Sequence, residues 1–302
     1  MPYLFTCPHC QARTEVEDTY SGQSGHCVVC AAEITLPEFA GNQGANEVGS
    51  KSRKRVPVVW IVTAGSLLVM IGAGLVAAIR YGGATADRLR EGRVRLTSIR
   101  NLETIAAALN AYASDHGTYP PSIVRDAAGK PMHSWRALIL PYIGEEELYL
   151  EIDFEKPWDA PENQSVTYGP SPSVFRHPTI QGWSRDANYY LITGPGTLFP
   201  NSGPLGPGDV TDGPHKTILV VEAASQSQST LWLEPVDLDV VSIGGRINGS
   251  PGRDMGGVTN GGVCVATTDG DGHFLAESTP RLTVQSLITP RGDEPLPDDV
   301  LD

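Results

Sequence analysis

Two pairs of cysteines near the amino terminus constrain the fold of this chain more than any other feature. Cys7 and Cys10 form one C-x-x-C pair, Cys27 and Cys30 form a second, and 16 residues separate the pairs. This spacing is typical of a tetrahedral zinc site built from two tight turns that each present two sulfurs. Because four cysteines complete the ligand shell, such a site is closed and structural. A segment this short lacks a core of its own, so we expect Zn²⁺ to stabilise it.

Other uses of the same residues remain as alternatives. Two disulfides or a redox pair would also use paired cysteines, although neither needs this spacing. His9 and His26 lie beside the cysteines and could replace one of them as a ligand. The segment from Phe5 to Pro37 resembles the short four-cysteine zinc ribbons that open many bacterial membrane proteins. Residues 1–40 carry five acids and one base, which disfavours nucleic-acid binding and favours a protein partner.

A long apolar segment follows the ribbon. Val56 to Ile79 is 24 residues without a charge, which as a helix at about 1.5 Å per residue would cross a hydrocarbon core of roughly 30 Å. Trp60 and Tyr81 lie near its two ends, where interfacial aromatic residues are common. The segment therefore predicts a single transmembrane helix over residues 56–79. A buried soluble helix is the alternative, and a cleaved signal peptide would begin closer to Met1.

The basic residues around this segment give the orientation only in part. Lysines and arginines precede it at 51–55 and follow it at 80–95, so the positive-inside count is nearly balanced. Thiolates that bind zinc belong in a reducing compartment. We therefore expect a single-pass protein of the inner (cytoplasmic) membrane, with a cytoplasmic amino terminus and residues 80–302 outside.

The remainder of the chain predicts an α+β fold. Apolar residues at steps of three, four and seven indicate an amphipathic helix from Thr85 to Asp115, ended by "HGTYPPS". A second helix is predicted from Ser134 to Glu151 with an interruption at Pro141, and a last one from Thr279 to Ile288. Short apolar runs between turn residues predict strands within 188–194, 217–223, 230–241 and 262–268.

Residues 97–289 resemble the pseudopilin-like domain of unknown function 1559 family. The resemblance rests on "IRNLETIAAALNAYASDHGTYPPS", "SWRALILPYIGEEELYLEIDFEKPWDAPEN", "ANYYLITGPGTLFP", "DVTDGPHKTILVVEA", "WLEPVDL" and "GGVCVATTDGDGHFL". It implies the architecture of type IV pilins and type II secretion pseudopilins. In that architecture a long amino-terminal helix spans the membrane in its first half and packs on a small antiparallel sheet in its second.

The chain departs from the family pattern at several positions. "KSRKRVPVVWIV" stands where the family has a prepilin peptidase site, so the resemblance does not extend to cleavage. Thr259 occupies the place of a histidine that usually precedes the Asp-Gly pair, and His177 occupies the place of the cysteine in "F-x-C-P".

The stretch "TTDGDGHFLA" allows three interpretations. Asp269 and Asp271, with His273, could bind Ca²⁺ or act as an acid/base pair. Calcium prefers six to eight oxygen ligands, and the stretch offers two carboxylates and some carbonyls. The pseudopilin resemblance implies calcium binding in a carboxyl-terminal loop. We expect a tight Asp-Gly hairpin turn, with a weak calcium site at Asp269 and Asp271 as the alternative.

These observations predict five regions. They are a zinc ribbon (1–37), a flexible basic linker (38–55), a transmembrane helix (56–79), an extracytoplasmic pseudopilin-like domain (80–289) and an acidic tail (290–302). The expected function is that of a non-enzymatic, membrane-anchored structural or interaction protein with protein partners on both sides of the membrane. Neither a nucleic acid nor a small-molecule substrate is expected. The alternatives are an outer calcium-dependent hydrolase or binding domain, and a zinc-ribbon regulator that couples outside to inside.

Overall fold

The computed structural model describes residues 3–39, 58–224, 231–243, 246–250, 254–296 and 300–301. The predicted linker therefore lies largely outside the described residues. The chain divides into two compact units, Met1–Met70 and Ile71–Asp302.

The first unit contains two antiparallel hairpins with a C-x-x-C pair in each turn. The strands are β1 (Tyr3–Thr6), β2 (Arg13–Val16), β3 (Ser24–His26) and β4 (Glu33–Thr35). β1 pairs with β2, and β3 pairs with β4. Side chains alternate between the two faces of a strand, and exposed and half-buried residues alternate along β2 and β4, whereas all three residues of β3 are exposed.

A single helix, α1, runs from Val58 to His116. It continues without a break into a charged stretch that includes Arg88, Arg90 and Arg93. Among the helices of the described residues, none combines the length and the apolar character needed to cross a membrane. The predicted transmembrane helix over 56–79 is therefore wrong, and so are the membrane-spanning part of the predicted fold and the localisation in the inner membrane.

The second unit is mixed α and β. After α1, its strands are β5 (Ile123–Arg125), β6 (Pro131–Ser134), β7 (Tyr189–Tyr190), β8 (Ile192–Thr193), β9 (Ile218–Glu222), β10 (Leu238–Asp239), β11 (Gly262–Thr267) and β12 (Gly272–Ala276). Its short helices are α2 (Trp135–Leu138), α3 (Glu146–Leu150), α4 (Gln164–Thr167) and α5 (Arg281–Ile288). The order β12-β11-β9-β7 forms a four-stranded antiparallel sheet. β5 pairs with β6, and β8 pairs in parallel with β10.

Both faces of this sheet are covered. On one face, Leu102, Ile105 and Leu109 of α1 belong to a buried cluster with Cys264 of β11. On the other face, Val265 of β11 belongs to a second buried cluster that includes Val284 and Leu287 of α5. Adjacent residues of a strand point to opposite faces, so the continuous apolar run of β11 fits a strand buried on both sides.

The chain breaks its helices where the sequence predicts. α1 ends at His116, and Gly117 follows with a φ of +84° that suits a helix terminus. The predicted second helix is divided into α2, a 3₁₀ turn at Leu140–Ile143 that contains Pro141, and α3. Proline has no backbone N–H and cannot continue an α-helical hydrogen-bond ladder.

Candidate metal centre

The two C-x-x-C turns have the same backbone geometry. In the first, Cys7 N donates to Ala12 O and Gln11 N donates to Cys7 O, both at 2.9 Å. The second turn repeats both bonds, also at 2.9 Å: Cys27 N donates to Ala32 O, and Ala31 N donates to Cys27 O. Each turn therefore folds its two cysteines toward the same side through local backbone hydrogen bonds alone.

Each turn closes through a residue in the left-handed region. Gln11 has a φ of +63° and Ala31 has a φ of +56°. Both residues directly follow the second cysteine of their pair. A residue with a Cβ is strained there by roughly 1–2 kcal/mol relative to glycine. Other interactions of each turn must therefore offset this backbone strain.

The four sulfurs converge on one point. Cys7 Sγ lies 3.9 Å from Cys30 Sγ, and Cys10 Sγ lies 3.7 Å from Cys27 Sγ. All four ligand atoms lie within 4.8 Å of one another. A zinc ion with bonds of about 2.3 Å in a tetrahedron places its sulfurs about 3.8 Å apart. The cysteines are free thiols rather than disulfides, and their spacing fits a four-coordinate metal ion.

The environment of Cys27 favours the thiolate that a metal requires. Backbone N–H groups of Cys30 and Val29 are directed toward the sulfur, and together they lower the pKa of Cys27 to about 6. Val29 N lies 3.4 Å from Cys27 Sγ. Donors of this kind stabilise the charged form of an acid. The backbone donors of this turn therefore favour the thiolate form of Cys27.

The described ligand cluster contains the four cysteines alone. His9 and His26, which could have replaced a cysteine, are not part of it. The sequence predicted these four cysteines as the metal ligands, and the structure brings all four together as a group that could bind a metal ion.

Asp269 is part of a turn between β11 and β12. Its Oδ1 accepts a hydrogen bond from Thr267 Oγ1 at 2.6 Å and another from Asp271 N at 3.2 Å. Gly270 has a φ of +99°, which only glycine adopts readily. His273 points elsewhere, with Nδ1 3.0 Å from Leu301 O. Asp269 and Asp271 belong to no ligand cluster among the described residues.

The second unit contains a buried polar cluster whose members the sequence did not indicate as a group. His177 Nε2 lies 3.2 Å from Thr259 Oγ1 and 3.8 Å from Glu222 Oε2. The Ser98 hydroxyl donates to Glu222 Oε2 and lies 3.0 Å from the Tyr189 hydroxyl. His177 and Thr259 are two of the positions at which the sequence differs from the pattern that the family resemblance implies, and they contact each other.

One sequence signal could have revealed this cluster. Ser98 precedes Leu102 by four positions and Ile105 by seven, so it lies on the apolar face of α1. A hydroxyl in that position requires a buried partner. Glu222 likewise ends the apolar run of β9 and is fully buried.

Arg136 and Asp237 form a second buried polar contact. Arg136 Nη2 lies 3.6 Å from Asp237 Oδ1, and Trp135 Nε1 donates to the same oxygen at 3.0 Å. Burial raises the pKa of Asp237 to about 6, although Arg136 acts in the opposite direction. Trp135 and Arg136 are fully buried, so they anchor the core.

Comparison with known proteins identifies the second unit. A family model described as a protein of unknown function (DUF1559) matches residues 88–239, half of the chain. The match begins within α1 and ends at β10, and it therefore covers the helix and much of the core. No curated protein and no solved structure matches the chain. The chain belongs to the DUF1559 family of proteins of unknown function.

Proposed function

We propose that the chain is a non-enzymatic interaction protein. In this proposal a zinc ribbon stabilised by Cys7, Cys10, Cys27 and Cys30 binds a protein partner, and a pseudopilin-like DUF1559 domain serves as its structural body. The observation that carries the proposal is the convergence of four cysteine sulfurs at separations that suit tetrahedral Zn²⁺.

A structural role for the metal follows from the composition of its site. Four thiolates fill a tetrahedral shell and leave no position for water or substrate. Within residues 3–39, Cys7 and Cys27 are the buried residues, at 1% and 6% exposure. A segment with so small a core depends on another source of stability, and metal binding supplies free energy of folding directly.

Two features support an interaction role for the ribbon. Its exposed side chains include large apolar ones, at Tyr3, Leu4, Tyr20, Val28 and Val29. Five acids against one base over residues 3–39 disfavour a nucleic-acid partner. Exposed apolar residues on a small acidic surface are typical of a protein-binding module.

The second unit supports a structural role. The carboxyl-terminal half of α1 packs on an antiparallel sheet, as in pseudopilins. The buried carboxylates of the second unit accept hydrogen bonds from neighbouring core residues. Glu222 accepts from Ser98, and Asp237 accepts from Trp135 and Leu191. Such contacts are those of groups that stabilise packing.

Metal analysis tests the proposal. Inductively coupled plasma mass spectrometry of the purified full chain should find one zinc per chain. Replacing Cys10 and Cys30 with serine should reduce the zinc content to below about a tenth of the wild-type value, because two of four ligands are lost. Cys264→Ser is the matched control, since Cys264 is buried in β11 and belongs to another unit. A chain that holds iron, or no metal at all, contradicts the proposal.

A further inference from the structure

The ribbon carries an apolar groove of about 320 Å³. Its apolar lining includes Phe5 of β1, Val16 of β2, Ile34 of β4 and Leu36 just after β4. These side chains are half-buried, whereas neighbours such as Leu4 are exposed on the opposite face. The groove is therefore the inward face of both hairpins, still partly open to solvent.

One wall of the groove is the edge of a strand. Ser24, Gly25 and His26 are consecutive residues of β3, and all three line the groove. Successive side chains of a strand point to opposite faces, so three consecutive lining residues mean that the backbone edge faces the groove. β3 pairs on its other side with β4.

The register of β3 shows which backbone groups face outward. Leu36 N donates to Gln23 O, and Cys27 N donates to Ala32 O, both at 2.9 Å. In an antiparallel pair, residues alternate between hydrogen-bonded and non-hydrogen-bonded positions. Ser24 and His26 therefore direct their N–H and C=O groups away from β4. A row of such groups is a template for an added strand.

The charged residues of the ribbon are mostly acidic. Glu17 and Asp18 precede Tyr20, which lines the groove, and Glu38 lies against Gly22. Arg13 is the one basic side chain of residues 3–39 apart from histidine. Four thiolates around one Zn²⁺ would add a further net charge of about −2. A basic ligand is therefore favoured over an acidic one.

We propose that the groove binds an extended basic segment of a partner protein by strand addition to β3. Alternate apolar side chains of the segment occupy the groove, and the lysines or arginines between them face the acidic rim. This inference deepens the proposed function and rests on it, because it names the class of partner that the ribbon recognises.

A peptide of the sequence KVKFKVK, acetylated, amidated and carrying a fluorophore, is the probe. Fluorescence anisotropy with the zinc-loaded full chain should show saturable binding that weakens as salt rises. The acidic peptide EVEFEVE has the same apolar pattern and should bind at least tenfold more weakly. Equal affinity for the two peptides overturns the inference.

Gly25→Leu tests the groove directly. A Cβ at Gly25 meets no atom within 4 Å, so a larger side chain there begins in open space beside the groove that Gly25 lines. It should weaken KVKFKVK binding at least tenfold and leave one zinc per chain. Gly208→Leu is the matched control, since a Cβ there also meets nothing within 4 Å. Unchanged affinity in Gly25→Leu overturns the inference.

A second variant covers the case in which Gly25→Leu loses its zinc. Ser24→Pro removes one outward N–H of the β3 edge, a position at which an edge strand accepts proline. It should weaken binding at least fivefold with zinc retained, and unchanged affinity overturns the inference. Self-association of the chain that Gly25→Leu abolishes would assign the groove to a second copy and also overturn it.

The failures of the two proposals can be distinguished. One zinc per chain without peptide binding overturns the strand-addition inference and leaves the zinc ribbon in place. Specific binding of KVKFKVK by a chain without zinc supports the inference and contradicts the zinc ribbon.

Discussion

His177 Nε2 lies 3.8 Å from Glu222 Oε2, and neither side chain reaches solvent. Burial lowers the pKa of His177 to about 4 and raises the pKa of Glu222. Desolvation thus favours the neutral form of both groups. The contact is a polar one inside the core and differs from a salt bridge, which would require both groups to be charged.

The lowered pKa of His177 predicts a loss of stability in acid. The histidine has a pKa near 6.5 when unfolded and about 4 when folded. Between these values the unfolded chain binds the proton and the folded chain does not, so the free energy of unfolding falls as pH falls. The slope is up to about 1.4 kcal/mol per pH unit for one group. Guanidinium unfolding between pH 7 and pH 4, followed by tryptophan fluorescence, measures it.

His177→Gln is the control for this prediction. Glutamine keeps a polar side chain without a group that titrates in this range, and Glu222 titrates in both proteins. The difference in unfolding free energy between wild type and variant should therefore shrink as pH falls from 6.5 to 4. Parallel pH profiles for the two proteins would assign the acid sensitivity to other groups.

The contact between Arg136 and Asp237 predicts that losing the carboxylate alone destabilises the protein more than losing both charged groups. Asp237→Leu leaves a buried guanidinium without its carboxylate and should cost about 3–5 kcal/mol. Adding Arg136→Met removes the unpaired charge, so the double variant should be more stable than Asp237→Leu alone. The comparison is made by chemical denaturation at pH 7, above the pKa of about 6 that burial gives Asp237. Additive losses would show that the two side chains act independently.

Local patterns predicted the elements that depend on local chemistry. The spacing of Leu102, Ile105 and Leu109 identified the buried face of α1, because helical periodicity is written in the sequence. Pro141 marked the interruption between α2 and α3 for the same reason. The four cysteines were also predictable, since each pair is positioned by a short turn of its own.

Contacts between residues far apart in the sequence could not be predicted from local patterns. The apolar run at 230–241 predicts a long strand, yet β10 covers only Leu238–Asp239, where it can pair with β8. Ser98 and Glu222 are 124 positions apart, so neither indicates the other as its partner. A membrane span over residues 56–79 was inferred from the length of an uncharged run and the aromatic residues near its ends, and no described helix meets the requirements of a span.

The left-handed residue of the second C-x-x-C turn offers a stabilising substitution. Ala31 has a φ of +56°, and glycine accepts this conformation without strain. Ala31→Gly should stabilise the ribbon by about 1 kcal/mol, or roughly fivefold in zinc affinity. Ala32→Gly is the adjacent control and should weaken binding, because glycine adds backbone entropy to the unfolded chain. Chelator competition measures both, and equal effects would contradict the prediction.

The two aspartates of the β11–β12 turn should differ in their contributions. Asp269 accepts hydrogen bonds from Thr267 Oγ1 and Asp271 N, so Asp269→Ala should cost about 1 kcal/mol. Asp271 is exposed, and Asp271→Ala should change stability by less than about 0.5 kcal/mol. Thermal unfolding of both variants, with and without millimolar Ca²⁺, checks the difference. A calcium-dependent rise in the Tm of the wild type that Asp271→Ala abolishes would identify a metal site in place of a simple turn.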